Sequence, residues 1–439
     1  MRSAVMLKDR IIERSALIGV VGLGYVGLPL AVEKAKAGFK VIGFDIQESK
    51  VKMVNEGHNY IGDVVNADLE KIVSDGHLHA TANFDELASC DVIAICVPTP
   101  LDVFKQPDLT YVINSTENVA KRLHKDMLVV LESTTYPGTT EDVMKPILEE
   151  TGLVCGKDFY LAFSPERVDP GNLRYKTKNT PKVVGGVGPE STEIAKLLYE
   201  SVLDAEVFVV SSPKEAEMTK ILENTFRIVN IALINEMAVV AKKMGINIWD
   251  VINAASTKPF GFMPFFPGPG VGGHCIPIDP FYLTYIARKY DYHTRLIELS
   301  GEINDSMPEY VVTRVMKALN ERGKCLKGAK VVMLGIAYKE DIEDMRESPA
   351  LKVLEHLEKN LAHVSVVDPY VPEFIWEGKT VKTVNLSEEL IKGSDAVIIT
   401  TAHKKLINYQ MIVKNAKYIF DAKNVLSKMD ITGENVEVL

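Results

Sequence analysis

Short apolar runs rich in β-branched residues alternate with helical patterns through the first 210 residues of the chain. Parallel strands need a long crossover connection, usually a helix, so this alternation predicts parallel βαβ units and an α/β fold. The predicted strands are Leu17–Val21, Val41–Phe44, Val92–Val97, Leu128–Leu131, Tyr160–Phe163 and Val207–Val210, and the helices between them include Leu28–Ala37 and Val112–Leu123.

The pattern changes at Ser212, where the residues Ser-Pro-Lys-Glu predict the start of a long helix. Ser212 is suited to cap the helix, Pro213 to occupy its first position and Glu215 to close a capping box. The helix is expected to continue to Gly245, a plausible C-terminal cap. Its length and apolar character favour a position between domains or subunits.

The βα alternation returns near residue 330, after a loop rich in Pro and Gly and further helices that end near Arg322. We therefore predict three domains, α/β, helical and α/β, at residues 1–211, 212–322 and 323–439. A chain of 439 residues also exceeds what one core usually serves. The predicted elements of the last part are strands at Lys330–Gly335, Val364–Val367, Ala396–Thr400 and Tyr418–Phe420, and a helix after Pro349.

Charge and cysteine content argue against several classes of protein. The formal net charge of −9 disfavours a nucleic-acid partner, because phosphate binding needs clustered Lys and Arg. No apolar run reaches the ~20 residues of a membrane span, and Asp9 and Glu13 interrupt any secretory signal. The cysteines are odd in number and lack a Cys-x-x-Cys pair, which predicts a reduced cytoplasmic protein without a zinc site. They are Cys90, Cys96, Cys155, Cys275 and Cys325.

The segment Gly22-Leu-Gly24-Tyr-Val-Gly27 lies between a predicted strand and a predicted helix. In such a pattern the first glycine permits a tight turn, the second lets the backbone approach a pyrophosphate, and the third allows close packing of helix on strand. The helix N-terminus also favours phosphates. Asp45 ends the next strand, where a carboxylate accepts hydrogen bonds from ribose hydroxyls and repels the extra phosphate of NADP. We predict NAD as the cofactor, with Lys50 as the one nearby cation that would suit NADP.

The segment PGPGVGGHCIPIDP at residues 267–280 has a density of Gly and Pro that serves close backbone approach rather than core packing. Within it, Cys275 suits a reactive thiolate beside a positive group, and Asp279 suits a base or a group that positions water. A small buried cysteine in a tight turn is the alternative for Cys275. His274 fits an acid–base role or a structural hydrogen bond equally well.

Three polar residues share one face of the long predicted helix. Lys220, Asn224 and Arg227 recur at i, i+4 and i+7 in a stretch that is otherwise mainly apolar. This stripe either faces a ligand or forms a solvated surface.

Ordered motifs along essentially the whole chain resemble those of the UDP-glucose/GDP-mannose dehydrogenase family. The resemblance implies two Rossmann-like doubly wound domains joined by a central helical dimerisation region, in a homodimer or larger homo-oligomer without membrane insertion. The N-terminal domain would bind NAD, and the C-terminal domain would bind the nucleotide of a UDP-sugar. This agrees with the C-terminal segment Gly335-Ile-Ala-Tyr-Lys339, which follows a predicted strand but lacks the Gly-x-Gly-x-x-Gly pattern of residues 22–27. The motifs are VGLGYVGLPLA at 21–31, CVPTP at 96–100, ESTTYPGTT at 132–140, FSPER at 163–167, KILENTFR at 220–227, PGPGVGGHCIPIDP at 267–280 and GIAYKEDIEDMRESPA at 335–350.

The same resemblance implies residue roles. Cys275 corresponds to the nucleophile, and Lys220 and Asn224 correspond to groups that stabilise oxyanions. Asp279 corresponds to a carboxylate that assists proton transfer through water, and Thr134 and Glu166 to groups that hold the reactive water and the sugar. The implied cofactor contacts are Gly22, Gly24, Tyr25, Val26, Gly27, Asp45, Val97, Pro98, Thr99, Ser133, Thr134 and Arg346. The implied substrate contacts are Glu166, Arg167, Lys220, Asn224, Arg227, Gly272 and Lys339.

The implied reaction is oxidation of the C6 alcohol of a UDP-linked sugar to a carboxylate by two NAD, through a thiohemiacetal and a thioester at Cys275. Pro170 stands where family members acting on UDP-glucose often have a second Glu, and His274 where they usually have Ser. The forms GPGxGGHCIPxDP and SPERxDPG resemble the branch that acts on UDP-N-acetylhexosamines. The segment IPIDPFYLT favours UDP-N-acetylglucosamine, with UDP-N-acetylmannosamine and UDP-glucose as alternatives.

Two further functions compete with this prediction. A β-hydroxyacid dehydrogenase shares the N-terminal fold and a Lys–Asn helix pair, but it performs one hydride transfer and needs neither Cys275 nor residues 330–439. A UDP-sugar sensor without turnover would be expected to have lost Cys275, Lys220 or Asp279, and all three are present.

Overall fold

The computed structural model describes residues 6–62, 64–102, 104–168, 172 and 174–439. The chain forms two compact units. Unit 1 comprises Met1–Glu223 and Tyr285–Tyr292, and unit 2 comprises Asn224–Thr284 and His293–Leu439. The division into three domains stays a prediction.

Unit 1 is built on an eight-stranded sheet. Its strands are β1 (Leu17–Val21), β2 (Lys40–Phe44), β3 (Leu78–Thr81), β4 (Val92–Ile95), β5 (Leu128–Leu131), β6 (Tyr160–Phe163), β7 (Lys182–Gly186) and β8 (Val207–Val209). They lie in the order β3-β2-β1-β4-β5-β6-β7-β8, and neighbours are parallel except for β6 and β7. The first six strands have the 3-2-1-4-5-6 order of a Rossmann fold, whose crevice opens between β1 and β4.

Both faces of this sheet are buried, which explains why its strands are continuous apolar runs. Along β4, Val92 and Ala94 join one apolar cluster, whereas Ile93 and Ile95 join the other. The helices of this part of the chain are α1 (Leu7–Ile12), α2 (Gly27–Lys36), α3 (Glu48–Asn55), α4 (Asn66–Ser74), α5 (Thr110–Ala120), α6 (Lys145–Glu149) and α7 (Pro189–Glu200), with a π-helical turn at Thr139–Met144 and short 3-10 turns at Phe84–Ser89 and Thr177–Asn179.

The long helix α8 (Pro213–Lys243) begins in unit 1 and continues into unit 2. Ser212 caps it as predicted, since its hydroxyl accepts from the Lys214 N–H at 3.2 Å and donates to the Glu215 carboxylate at 2.5 Å. The remaining helices are α9 (Ile248–Ala255), α10 (Asp279–Ala287), α11 (Arg295–Glu321), α12 (Pro349–Lys359), α13 (Glu388–Gly393), α14 (Tyr409–Asn415) and α15 (Val425–Lys428), with a 3-10 turn at Arg288–Tyr290. None of the helices that the structure describes combines the length and apolar character that a bilayer crossing requires.

Unit 2 contains a second parallel sheet. Its strands are β9 (Lys330–Leu334), β10 (His363–Val367), β13 (Ala396–Ile399), β14 (Ile419–Asp421) and β15 (Val436–Val438), and an antiparallel hairpin of β11 (Glu373–Trp376) and β12 (Lys379–Lys382) stands apart. The order β10-β9-β13-β14-β15 is the 2-1-3-4-5 order of the other common doubly wound fold. The predicted α/β class with two Rossmann-like domains is confirmed.

The sequence pattern missed β3, β7, β15 and the hairpin, and it extended β4 beyond Ile95. In β7 the cause is the sequence Lys-Val-Val-Gly-Gly, because glycine is depleted in strands. Both glycines are required by packing there. A Cβ on Gly185 would lie 2.1 Å from the Ser212 carbonyl oxygen, and one on Gly186 would lie 2.3 Å from the Thr192 nitrogen.

The first strand-to-helix turns of the two sheets share one local geometry. In each, a glycine with positive φ follows the first strand, and the next N–H donates to the carboxylate that follows the second strand. The residues are Gly22 (φ +91°), Leu23 and Asp45 in unit 1 and Gly335 (φ +92°), Ile336 and Asp368 in unit 2, with N–H···O distances of 3.0 and 2.7 Å. The turns differ at the following position, which is Gly24 in unit 1 and Ala337 in unit 2.

Candidate active site

The glycine turn of unit 1 connects the end of β1 to the start of α2. Gly22 has φ +91°, and a Cβ there would lie 2.7 Å from the Cys96 carbonyl oxygen. A Cβ on Gly27 would lie 1.8 Å from the Gly22 carbonyl oxygen, whereas a Cβ on Gly24 would meet no protein atom within 4 Å. Packing therefore requires the first and third glycines. The second leaves open space beside the backbone, which fits the approach of a pyrophosphate.

Asp45 lies at the edge of the same crevice and is 7% exposed. Its carboxylate accepts from the Leu23 N–H at 3.0 Å and from the Gln47 N–H at 2.9 Å, so backbone groups fix its orientation. The Lys50 ammonium lies 3.7 Å from Asp45 Oδ2. Lys50 is the one nearby cation that the sequence analysis named as suited to NADP, and its pairing with Asp45 offsets its charge.

Ser133 and Thr134 follow β5 in a loop that is tied to two other elements. The Ser133 hydroxyl donates to the Val97 carbonyl at 2.8 Å. Glu217, on α8, accepts from the N–H groups of Gly138 at 2.5 Å and Thr140 at 2.9 Å. Burial raises the pKa of the Glu217 carboxyl to about 7, although these hydrogen bonds lower it. Glu217 thus holds the loop from inside the unit.

Glu166 follows β6, and its carboxylate is held on two sides. One oxygen accepts from the N–H groups of Arg167 and Val168, each at 2.7 Å, and the other lies 3.5 Å from Lys182 Nζ. Burial raises the pKa of Glu166, but Lys182, the two N–H groups and Lys220 outweigh that effect and hold the pKa below its usual value. The geometry therefore favours an ionised carboxylate.

Lys220 and Arg167 surround the same segment of unit 1. The Lys220 ammonium donates to the Glu166 carbonyl at 2.6 Å and is 8% exposed. The Arg167 guanidinium donates to Glu223 at 2.5 Å and to the Pro181 carbonyl at 2.9 Å. The structure thus brings together three of the predicted substrate contacts, Glu166, Arg167 and Lys220.

In unit 2, Asn224, Asp279 and Cys275 lie close together. The Asn224 amide donates to Asp279 Oδ2 at 2.6 Å, and both side chains are buried. Asp279 begins α10, and its N–H donates to the Cys275 carbonyl at 2.9 Å. The cysteine therefore sits one turn before a buried carboxylate whose orientation an amide fixes.

The glycine-rich loop before Cys275 packs tightly within unit 2. A Cβ on Gly272 would lie 2.7 Å from Tyr338 Cβ, and one on Gly273 would lie 2.9 Å from the Tyr338 ring. The Gly273 N–H donates to the Arg346 carbonyl at 3.0 Å. These glycines let the backbone of the loop lie against the Tyr338 side chain.

The other predicted contacts are placed as follows. Lys339 is half-buried, and the Arg346 guanidinium binds both carboxylate oxygens of Asp344, at 2.6 to 3.0 Å. Arg227 is exposed, so a solvated face accounts for that member of the helix stripe but not for the buried Lys220 and Asn224. Pro170 lies outside the described residues.

Two charged residues beside the site, Glu132 and Lys182, were not among the site residues predicted from the sequence. Glu132 follows β5 and Lys182 opens β7, and both are buried. In the sequence, each lies directly beside an apolar run, and this position was the available signal of its burial. Their pairing could not be predicted, because it depends on how β7 packs. Within the described part of the chain, no group of three or more His, Cys, Asp or Glu side chains has the arrangement of a metal site.

Comparison with known proteins agrees with this geometry. Three models of the UDP-glucose/GDP-mannose dehydrogenase family match the chain: the NAD binding domain over residues 16–203, the central domain over 214–306 and the UDP binding domain over 332–428. The chain belongs to this family. It is an NAD-dependent dehydrogenase, and the open space at Gly24 fits that cofactor.

Other members of the family are similar over nearly their whole length. A UDP-N-acetyl-D-glucosamine 6-dehydrogenase of Pseudomonas aeruginosa is 38% identical over 411 residues, which cover 93% of this chain and 95% of that protein. A UDP-N-acetyl-D-mannosamine dehydrogenase of Methanococcus aeolicus is 38% identical over 436 residues, covering 96% and 94%. The solved structure of a UDP-D-ManNAc dehydrogenase from Pyrococcus horikoshii matches with a TM-score of 0.87 at 36% identity, covering 96% of this chain and 98% of that one. Family members of two sugar specificities are thus equally similar in sequence.

Proposed function

We propose that this dehydrogenase oxidises the C6 alcohol of a UDP-N-acetylhexosamine to the carboxylate, with UDP-N-acetylglucosamine as the substrate. The observation that carries the proposal is the cluster of Cys275, Asp279 and Asn224, because a single alcohol oxidation needs no cysteine beside a held carboxylate. The relatives named for N-acetylhexosamines, and the segment IPIDPFYLT, support the substrate class.

NAD held at the glycine turn of unit 1 would serve as the hydride acceptor, and each of the two oxidations would consume one NAD molecule. Between them, the Cys275 thiolate adds to the carbonyl carbon of the C6 aldehyde and forms a thiohemiacetal. Loss of the second hydride from that carbon leaves a thioester. Water then attacks the thioester, which releases the carboxylate and returns the thiol.

Other residues of the predicted site stabilise charge and transfer protons. The Lys220 ammonium and the Asn224 amide stabilise the oxyanions that form at the reacting carbon, an effect often worth several kcal/mol. Asp279 accepts and returns protons through water, a role that suits a carboxylate oriented by an amide. Glu166 and Thr134 hold the sugar and the attacking water.

The deciding measurement is the number of NADH molecules formed per sugar. Purified protein and NAD are offered UDP-N-acetylglucosamine, UDP-N-acetylmannosamine or UDP-glucose in separate reactions. Two NADH per sugar with the first substrate alone is the expected result. The same ratio with another sugar would keep the mechanism and replace the substrate.

The same measurement separates the two competing functions. One NADH per substrate molecule would favour a single-step β-hydroxyacid dehydrogenase. Binding of UDP-sugar without any NADH would favour a sensor.

We also propose a cytoplasmic homodimer. All five cysteines are free thiols, which supports a reducing compartment. An apolar stripe on α8 is exposed at 42 to 67% and has roughly the heptad spacing at which helices of two chains pack: Phe226, Leu233, Met237, Val240 and Met244. Met237→Glu is expected to convert the dimer to a monomer in sedimentation velocity, because it places a charge on the stripe. Met316→Glu, on an exposed residue of α11, is the matched control.

A further inference from the structure

A row of four charged side chains of alternating sign crosses unit 1, of which the first three are buried and the last is partly buried. In order they are Lys34 on α2, Glu132 after β5, Lys182 on β7 and Glu166 after β6. The side chains of the first two are 0% exposed, that of Lys182 is 7% exposed and that of Glu166 is 15% exposed. Only the last member belongs to the predicted reaction site.

Lys182 is the link in this row. Its ammonium donates to Glu132 at 2.6 Å and lies 3.5 Å from Glu166 Oε2. The other oxygen of Glu132 accepts from the Tyr199 hydroxyl, and Lys34 Nζ lies 3.8 Å from it. Glu132 is therefore fixed by two partners besides Lys182. By accepting from the Lys182 ammonium, Glu132 also fixes the position of that ammonium beside Glu166.

Stability alone does not account for such a row. Removing charges from water is costly, and a buried ion pair is often no more stabilising than apolar residues of the same volume. Lys34 Nζ has no hydrogen-bond partner among the described residues. In contrast, Glu166 and Lys182 line the same small cavity, together with Arg167. The Glu166 end of the row therefore lies beside Arg167, a second predicted substrate contact.

We propose that Lys182 is a positioning residue that keeps the Glu166 carboxylate ionised and oriented during the reaction, with Glu132 holding Lys182 in place. This inference rests on the proposed function of Glu166. The charged and titratable groups that interact with Glu166 are Lys34, Cys96, Lys182 and Lys220, with Arg167 adjacent in the chain. Glu132 and Tyr199 contact Lys182 and each other.

The sign of the expected pH effect follows from these groups. Burial keeps the Cys96 thiol and the Tyr199 phenol neutral by raising the pKa of each, so neither stabilises an ionised Glu166. Lys182 is the largest of the interactions that lower the pKa of Glu166. Without it, burial is less opposed and the pKa of Glu166 rises.

The test is the pH profile of kcat/KM for NADH formation in Lys182→Met and wild type. The acidic limb of the variant is expected to move to higher pH by about one to three units, the effect of an adjacent opposite charge on a carboxyl pKa. Part of the lost rate should return at alkaline pH. Lys182→Arg, which keeps the charge, should restore the wild-type limb.

Arg10→Met is the matched control, because Arg10 pairs with the buried Asp91 in the same unit away from Glu166. It should leave the limb unchanged even where it lowers the melting temperature. If Lys182→Met does not fold, Lys182→Gln retains a donor for Glu132 and carries the same expectation.

A folded Lys182 variant with the wild-type limb, or an equal shift in Arg10→Met, would overturn the inference while wild-type turnover still supports the proposed function. A wild-type enzyme that forms no NADH from any UDP-sugar would instead overturn the proposed function.

Discussion

Alanine substitutions in the glycine turn of unit 1 should separate cofactor binding from folding. Gly24→Ala adds a methyl group where no protein atom lies within 4 Å, at a residue whose φ is not positive. Gly27→Ala adds the same methyl group 1.8 Å from the Gly22 carbonyl oxygen. The two variants make the same substitution three residues apart, so each serves as the control for the other.

The expected magnitudes follow from these distances. Ordinary C···O contacts begin near ~3.3 Å, so the Gly27 variant must shift backbone by roughly 1.5 Å, and overpacking of this kind costs about 1–3 kcal/mol or more. Gly24→Ala should leave stability unchanged or raise it by about 0.4–1 kcal/mol, because alanine restricts the unfolded chain. Its methyl group should displace the pyrophosphate. Loss of one hydrogen bond to a charged group, about 1.5–3 kcal/mol, weakens NAD binding by roughly tenfold to a hundredfold.

Calorimetric titration with NAD and thermal unfolding measure the two effects separately. We expect Gly24→Ala to melt like wild type and to bind NAD weakly, and Gly27→Ala to melt at a lower temperature. If Gly24→Ala binds NAD as tightly as wild type, the open space at that residue does not receive the cofactor and the reasoning is wrong. If both variants lose stability equally, the turn is structural and carries no separate ligand signal.

Two further predictions concern the cysteine and a buried carboxyl. Cys275→Ser should retain the first oxidation at best and stall before the acid, so that at most one NADH forms per sugar; full turnover would refute the covalent scheme. Glu217→Gln should remove a pH-dependent part of the stability. Burial raises the pKa of Glu217 to about 7 from 4.5. The contribution of this carboxyl to the free energy of unfolding is therefore fully present below pH 4.5 and is lost as the pH rises through 7, a decrease of about 3 kcal/mol. Urea unfolding of both proteins between pH 5 and 8 should show this decrease in the free energy of unfolding only in wild type. The same decrease in both proteins would contradict its assignment to Glu217.

The sequence predicted those parts of the fold that local chemistry determines. The Ser212 cap, the tight turn at Gly22 and the buried strand β5 each depend on residues a few positions apart, and their positions were confirmed. β7 was missed because its two glycines are required by contacts with distant segments rather than by strand propensity.

The same distinction between local and distant contacts applies to the candidate site. Glycine spacing and the Cys275 loop are local patterns, and they pointed to the dinucleotide turn and to the cysteine cluster. The partners of Glu166 are not local, because Lys182 reaches it only once β6 and β7 pair. A hydropathy pattern records Lys182 as a charge beside an apolar run, and it contains no information on which carboxylates that charge will meet.

The shared geometry of the two first turns has a consequence for ligand selection. Unit 2 naturally carries, in Ala337, the methyl group that Gly24→Ala would introduce into unit 1, and Ala337 is 1% exposed. The two turns hold their aspartates and their positive-φ glycines alike, so the backbone alone does not distinguish them. They differ by one carbon atom, which in unit 2 occupies the place where the turn of unit 1 leaves open space beside its main chain. A pyrophosphate that lies against the main chain at Gly24 in unit 1 would meet the Ala337 methyl group at the same point of unit 2, so we expect the UDP of a UDP-sugar to be held there by other contacts.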